Sequence, residues 1–289
     1  MRRALCSLVG AVLLSAPLTL LGSGAASAST TSSGYNDWSC HPSALHPDPV
    51  VLLHGLGATY NEDLGQMVAP YLASAGYCVF GATYGATSAL GSSVGGVGDI
   101  PTSGRQIGAF IGQVLASTHA SKVDLVGHSE GAFMSLWVPK VDGYAARVDR
   151  VVAIAPPTHG TTFGGLVSAG QALGFMPMAA LLLNAFECQA CAQLIDGGSA
   201  VATLDHGPIA QPGVHYSILT STSDELVTPT STSFVREPGV DNAYIQATCP
   251  ADPVGHIGEA YDTDVEQMIS NALDPASASR VTCSYGPPV

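Results

Sequence analysis

Residues 123–133 read Val-Asp-Leu-Val-Gly-His-Ser-Glu-Gly-Ala-Phe: an apolar run enters a serine flanked by glycines, and a helix-like pattern leaves it. Gly127-His128-Ser129-Glu130-Gly131 therefore matches Gly-x-Ser-x-Gly between a strand and a helix. In such an elbow the turn holds the serine in a strained backbone conformation, and a side chain at either glycine position would collide with the adjoining strand or helix. The five-residue pattern by itself also recurs in Gly/Ser-rich chains as an ordinary loop. Its flanks decide between the two readings. They commit the chain to a strand ending beside Ser129 and a helix starting there, and they make Ser129 a nucleophile.

The rest of the chain repeats that unit. Residues 49–53, Pro-Val-Val-Leu-Leu, form the short, wholly apolar run of a strand covered on both faces. Leu64, Met67, Val68, Tyr71 and Leu72 follow at helical spacing, Gly76 stops the helix, and residues 77–81 give a second strand. A Gly/Ser-rich loop over 86–104 leads to Ile107, Phe110, Ile111, Val114 and Leu115, again helically spaced, before the strand at 122–126. The helix after Ser129 carries Phe133, Met134, Leu136 and Trp137 and is expected to end near Pro139, ahead of a strand at 150–155. Alternation of this kind predicts an α/β fold with a mainly parallel sheet flanked by helices. The rhythm breaks over 158–212, where no clean strand appears and residues 175–186 form a dense apolar run. It resumes with strands at 214–220 and 243–247 and a last helix at 263–273.

An activated serine needs an imidazole to take its proton and a carboxylate to hold that imidazole in the right tautomer, and in this topology both sit on loops after later strands. Asp224 follows the strand at 214–220 directly, and His256, in Val254-Gly255-His256, is the single histidine after it. Glu225 is the neighbouring alternative; Asp241 and Asp252 are further acids that do not follow that strand directly. The oxyanion of a tetrahedral intermediate needs two preset backbone N–H donors. Glu130, just after the nucleophile, is expected to supply one, and Leu56, in the glycine-flanked loop His54-Gly55-Leu56-Gly57, the other. His54 and His128 lie in tight turns, and a structural role is expected of them rather than that of a base.

Arg2 and Arg3 precede an apolar stretch interrupted by Ser15, Pro17 and Thr19, and Ala26-Ser27-Ala28 offers small residues to a signal peptidase. Residues 1–28 are thus predicted to be a signal peptide, leaving 29–289 as one catalytic domain of a secreted protein. That leader contains two of the nine basic residues and none of the 22 acidic ones, so seven minus 22 gives a mature charge of −15. Such a balance argues against nucleic acid and anionic membranes as partners. With Cys6 removed, Cys40, Cys78, Cys188, Cys191, Cys249 and Cys283 remain, an even set that reads as disulfides in an exported chain. Sequence neighbourhood favours 40 with 78, 188 with 191, and 249 with 283. No metal-ligand cluster, phosphate loop or nucleotide fingerprint stands out, so no cofactor or metal is expected.

Taken together, residues 49–56 (Pro-Val-Val-Leu-Leu-His-Gly-Leu), 126–131, 155–161 (Ala-Pro-Pro-Thr-His-Gly-Thr), 222–229 (Thr-Ser-Asp-Glu-Leu-Val-Thr-Pro) and Gly255-His256 resemble the α/β-hydrolase superfamily, and within it the secreted bacterial class 2 triacylglycerol lipases. The resemblance spans 49–273. Ala132 stands where members often have glycine, and Glu130 where some have glutamine; neither change removes a backbone donor. It implies a serine carboxylic-ester hydrolase, a lipase ahead of a short-chain or cutinase-like polyester esterase. A secreted binding protein on a decayed hydrolase fold is the reading from a different class. Residues 158–212 would form a helical cap, in which Phe163, Phe175, Met178, Leu182 and Phe186 are expected to line an acyl groove. The partners would then be a lipid or other ester and a lipid–water interface, with the chain acting as a monomer.

Overall fold

The computed structural model describes residues 35–87, 94–164 and 188–289. The predicted signal peptide at 1–28 and the apolar run at 175–186, with Phe175, Met178, Leu182 and Phe186, lie outside them. In chain order the main elements are β1 (Val50–Leu53), α1 (Val68–Ser74), β2 (Val79–Gly81), α2 (Ile100–Thr118), β3 (Val123–His128), α3 (Glu130–Lys140) and β4 (Val148–Ile154). Then come α4 (Gln189–Gln193), α5 (Ser199–Leu204), β5 (His215–Thr220), β6 (Val240–Tyr244), α6 (Ile245–Thr248) and α7 (Thr263–Leu273).

All six strands are parallel, in the order β2-β1-β3-β4-β5-β6. Their apolar runs do not alternate because both faces are covered. Val51, Leu53, Leu125, Val151 and Ala153 pack in one core with Ile107 and Ile111 of α2 and Phe133 and Trp137 of α3. Val50, Leu52, Val126, Val152 and Ile154 pack in a second core with Val68 and Leu72 of α1 and Val265 and Ile269 of α7. Each such side chain taken fully out of water contributes about 1.5 to 3 kcal/mol. The chain steps from β1 to β2 in one direction and then crosses to β3 on the other side of β1, so the connections diverge beyond the carboxyl ends of β1 and β3. In open parallel sheets a crevice opens at such a point.

Two segments differ from the expectation. Helix α2 starts at Ile100, inside the stretch read as loop, because the Asp99 side chain caps it by accepting from Thr102 N and Pro101 occupies its first turn. Its Gly104 is required by packing, since a Cβ there would press on the Trp137 ring at 2.9 Å. The last strand is Val240–Tyr244 rather than 243–247, and Ile245–Thr248 is helical. As an edge strand it exposes Asp241 and Asn242, so its polar start carries no apolar signal. Between β4 and β5 the described residues contain α4 and α5 and no strand; Thr161 and Ile195 meet there in an isolated bridge. Among the described residues, no helix is long and apolar enough to cross a membrane.

Candidate active site

Ser129 sits at the junction of β3 and α3 with φ of 56°, a left-handed value that L-residues adopt at a cost, and its N–H donates to Ile154 O at 2.8 Å. The flanking glycines permit this turn by allowing close approach. A Cβ on Gly127 would strike the Gly131 backbone, and one on Gly131 would strike the backbone of Leu53 and His54.

The structure brings Ser129 together with the two residues expected from later loops. His256 Nε2 is 2.8 Å from Ser129 Oγ, and His256 Nδ1 is 2.8 Å from Asp224 Oδ2. A carboxylate can only accept, so Nδ1 carries the proton and Nε2 faces the serine hydroxyl as an acceptor. Asp224 Oδ1 is held by the N–H groups of Leu226 and Val227, each at 2.8 Å. The alternatives lie elsewhere: Glu225 accepts from the His256 main-chain N–H at 3.3 Å, Asp252 accepts from Val254 N and Gly286 N, and Asp241 is exposed on the edge strand.

Leu56 and Glu130 border the same cleft as Ser129 and His256. On either side of Leu56 the backbone is tethered, Gly55 N to Asp63 Oδ2 at 2.5 Å and Gly57 N to Gly95 O at 2.9 Å. Leu56 N–H itself makes no backbone or side-chain hydrogen bond among the described residues. Glu130 N lies in the first turn of α3, where helical N–H groups have no intrahelical acceptor. The cleft, about 260 Å³, is lined mainly by apolar side chains, among them Pro157, Phe163, Leu194, Leu226 and Ile257. Of these, Leu226 and Ile257 also stand exposed at the protein surface.

The two histidines outside the Ser129–His256–Asp224 line take opposite protonation states. His54 donates from Nδ1 to Gly55 O and accepts at Nε2 from Tyr84 N, so it is neutral, and burial lowers its pKa. Tyr84 stacks on it at 4.3 Å and donates its hydroxyl to His54 O. His128 has acceptors at both nitrogens: the Asp63 carboxylate at Nδ1, 3.0 Å away, and His256 O at Nε2, 2.9 Å away. Both nitrogens must then donate, which is the imidazolium form. Burial opposes that charge, but the Asp63 carboxylate and the two hydrogen bonds outweigh it and raise the His128 pKa. Asp63 is lowered in turn, its burial overcome by His128 and by the Gly55 N–H. Asp63 went unnoticed in the sequence, where it is one acid in the turn ahead of α1 with no motif around it. Glu130 presents the contrary case: full burial, only partly offset by the Tyr84 hydroxyl, raises its carboxyl well above the usual range, and its side chain packs against Gly96.

Three disulfides join Cys40 to Cys78, Cys188 to Cys191 and Cys249 to Cys283, the local pairing expected.

The sequence pattern of the lipase (class 2) family matches residues 47–268, more than half of the chain, a range that includes Leu56, Asp63, Ser129, Asp224 and His256. The chain belongs to the class 2 lipase family. Triacylglycerol lipases of Pseudarthrobacter phenanthrenivorans and Burkholderia plantarii are each 35% identical to it over 123 residues, 41% of this chain. Those residues are 36% and 32% of the two relatives, so the matched part spans about a third of their length. In fold the chain is similar to the crystal structure of Aspergillus fumigatus lipase B, with a TM-score of 0.58 and 18% identity, covering 84% of this chain and 57% of that one. The class 2 lipase family and this likeness agree with the α/β-hydrolase arrangement of sheet and helices seen here.

Proposed function

We propose that this chain is an exported serine hydrolase that cleaves carboxylic esters, acylglycerols among them, through Ser129, His256 and Asp224. One observation carries the reading: Ser129 Oγ lies 2.8 Å from an imidazole nitrogen whose tautomer is set by a buried carboxylate, at the mouth of an apolar cleft. In the reaction His256 Nε2 takes the Ser129 hydroxyl proton as Oγ bonds to the ester carbonyl carbon. The carbonyl oxygen becomes an oxyanion facing the N–H groups of Leu56 and Glu130, each such donor being worth about 100 to 1,000 fold in rate. The imidazolium then protonates the leaving alkoxide, which departs as the alcohol, and acyl-Ser129 remains. Water, deprotonated by the same His256, attacks the acyl carbon, and the serine leaves with the proton as the carboxylic acid is released.

Membership of the class 2 lipase family and the triacylglycerol lipase relatives support acylglycerols as the substrate class, and the apolar lining with Leu226 and Ile257 at the surface supports contact with a lipid–water interface. Export is supported by three disulfides, which persist in oxidising compartments, together with the leader-like residues 1–28. The experiment is twofold: labelling with a fluorophosphonate, mapped by peptide mass, and hydrolysis of p-nitrophenyl esters from C2 to C16 beside an emulsified triglyceride. Labelling at Ser129 with turnover of the triglyceride is expected. Labelling with turnover confined to C2 and C4 esters would make the chain a short-chain esterase, and no labelling would make it a binding protein on a hydrolase fold.

A further inference from the structure

Asp224 and His256 stand on different loops, and a buried serine outside the reacting set joins those loops. Ser221 follows β5 directly, three positions before Asp224, and is 0% exposed. Its hydroxyl donates to Val254 O, two positions before His256, and accepts from Ser223 N at 2.9 Å and from Gln246 Nε2 at 2.8 Å. Its main-chain N–H donates to Oε1 of Glu259, three positions after His256, at 2.9 Å. Gln246, in α6, holds the same two segments: its Oε1 accepts from Thr222 N at 2.9 Å, and its Nε2 donates to Asp252 O at 3.0 Å as well as to Ser221.

A hydroxyl has one proton to give and two acceptor positions, and in Ser221 all three are used; the Gln246 amide likewise uses both of its protons and its oxygen. A network so fully satisfied favours one geometry, because a partner released inside the protein is left without a hydrogen bond. The turn that carries Asp224 and the loop that carries His256 are thereby held in register, and with them the 2.8 Å contact from His256 Nδ1 to Asp224 Oδ2. Neither Ser221 nor Gln246 lines the cleft, so a change at either reaches the reaction only through Asp224 and His256.

We propose that Ser221, aided by Gln246, is a positioning residue that fixes the His256 imidazole against the Asp224 carboxylate. The proposal rests on the reading of Ser129, His256 and Asp224 as the reacting set. A catalytic group displaced by about 1 Å from its productive place loses on the order of a hundredfold in rate. A serine that only filled space in the core would show no such effect: its loss would lower the melting temperature and leave kcat alone.

Ser221→Ala and Gln246→Ala are compared with wild type by kcat and KM on p-nitrophenyl butyrate, and by the downfield proton resonance of His256 Nδ1–H, assigned through its loss in His256→Gln. Each variant is expected to lose about ten to a hundredfold in kcat, with KM within about twofold, and to move or broaden the downfield proton. Ser135→Ala, which removes an equally buried hydroxyl bonded to Ala132 O, should change none of these. Gln246 is half-buried, so its alanine variant decides should Ser221→Ala not fold. Unchanged kcat with an unmoved proton in a folded variant would overturn the proposal. So would an equal kcat loss in Ser135→Ala, a loss confined to KM, or a wild type in which no downfield proton depends on His256. If the wild type turns over no ester, the esterase reading fails by itself and the proton resonance alone decides: moved in the variants it supports the positioning role, unmoved it refutes it.

Discussion

Asp63 and His128 form a buried ion pair whose two partners each hold a different part of the Ser129 site. Asp63 is 3.0 Å from His128 Nδ1, and their side chains are 5% and 6% exposed. The carboxylate also accepts from Gly55 N beside Leu56, and the imidazolium also donates to His256 O. One charge pair thus ties the Leu56 loop, the elbow and the backbone of His256 to each other. Removing one member of a buried pair strands the other charge, at a typical cost of about 3 to 5 kcal/mol. Asp63→Asn is therefore expected to lower the melting temperature and, by loosening Leu56 and His256 together, to reduce kcat/KM by about tenfold or more. Calorimetry and ester hydrolysis on the folded variant measure both; an unchanged kcat/KM would limit the pair to stability.

The same pair carries a pH signature. His128 has a raised folded pKa, so its contribution is complete below about 6.5, the ordinary imidazole value, and is lost as pH rises through the raised value. Asp63 has a lowered one, so its contribution is complete above about 4 and is lost as pH falls through the depressed value. Between those limits both charges are present. The Tm difference between wild type and His128→Gln is expected to be largest there and to shrink as the pH is raised, in melts run at constant ionic strength. A difference that grows toward alkaline pH would contradict the imidazolium assignment.

Ser129→Ala, His256→Ala and Asp224→Asn should each cut kcat by about a thousandfold or more, and the double variants should lose little beyond the singles because the three act as a unit. Glu225→Gln retains an acceptor for the His256 N–H and should lose far less. A larger loss there than in Asp224→Asn would reverse the choice of acid.

The bridges differ in the loops they close. Cys40–Cys78 and Cys249–Cys283 span 38 and 34 positions, Cys188–Cys191 only three. In the chain-entropy view the long loops are each worth about 3 to 4 kcal/mol and the short one much less. Replacing Cys249 and Cys283 by alanine should lower Tm by about 10 °C, against a small change for the 188/191 pair. Titration of the unreduced, denatured protein should find no free thiol among the six.

Phe163 lines the cleft, and Leu182 and Phe186 belong to the apolar run expected to extend it. Each methylene buried in the transition state is worth about 0.8 kcal/mol, so four further carbons would favour a longer ester by roughly 3 kcal/mol, about a hundredfold. Phe163→Ser, Leu182→Ser and Phe186→Ser should therefore lose more on C12 than on C2 esters. Equal losses in folded variants would make these residues packing rather than an acyl groove.

The sequence alone determined what local chemistry and periodicity encode. Apolar runs of strand length alternating with helically spaced ones specified a parallel α/β sheet, because strands covered on both faces must be apolar throughout. The glycines around Ser129 marked the elbow, since no other residue fits against the backbone of Leu53. Asp224 and His256 were legible from their place after successive strands, and the cysteines from their neighbourhood. The start of β6 was not, because an edge strand facing water needs no apolar residues at Asp241 and Asn242. Nor was Asp63: it meets His128 from 65 positions away only because the crossing from β2 to β3 sets the loop after β1 beside the elbow. The Ser221 hydroxyl likewise meets Val254 and Gln246 only once the segments after β5 and β6 fold side by side. A buried polar group is stabilised by whichever partner the tertiary structure places within hydrogen-bonding distance, and hydropathy along the chain carries no record of that partner.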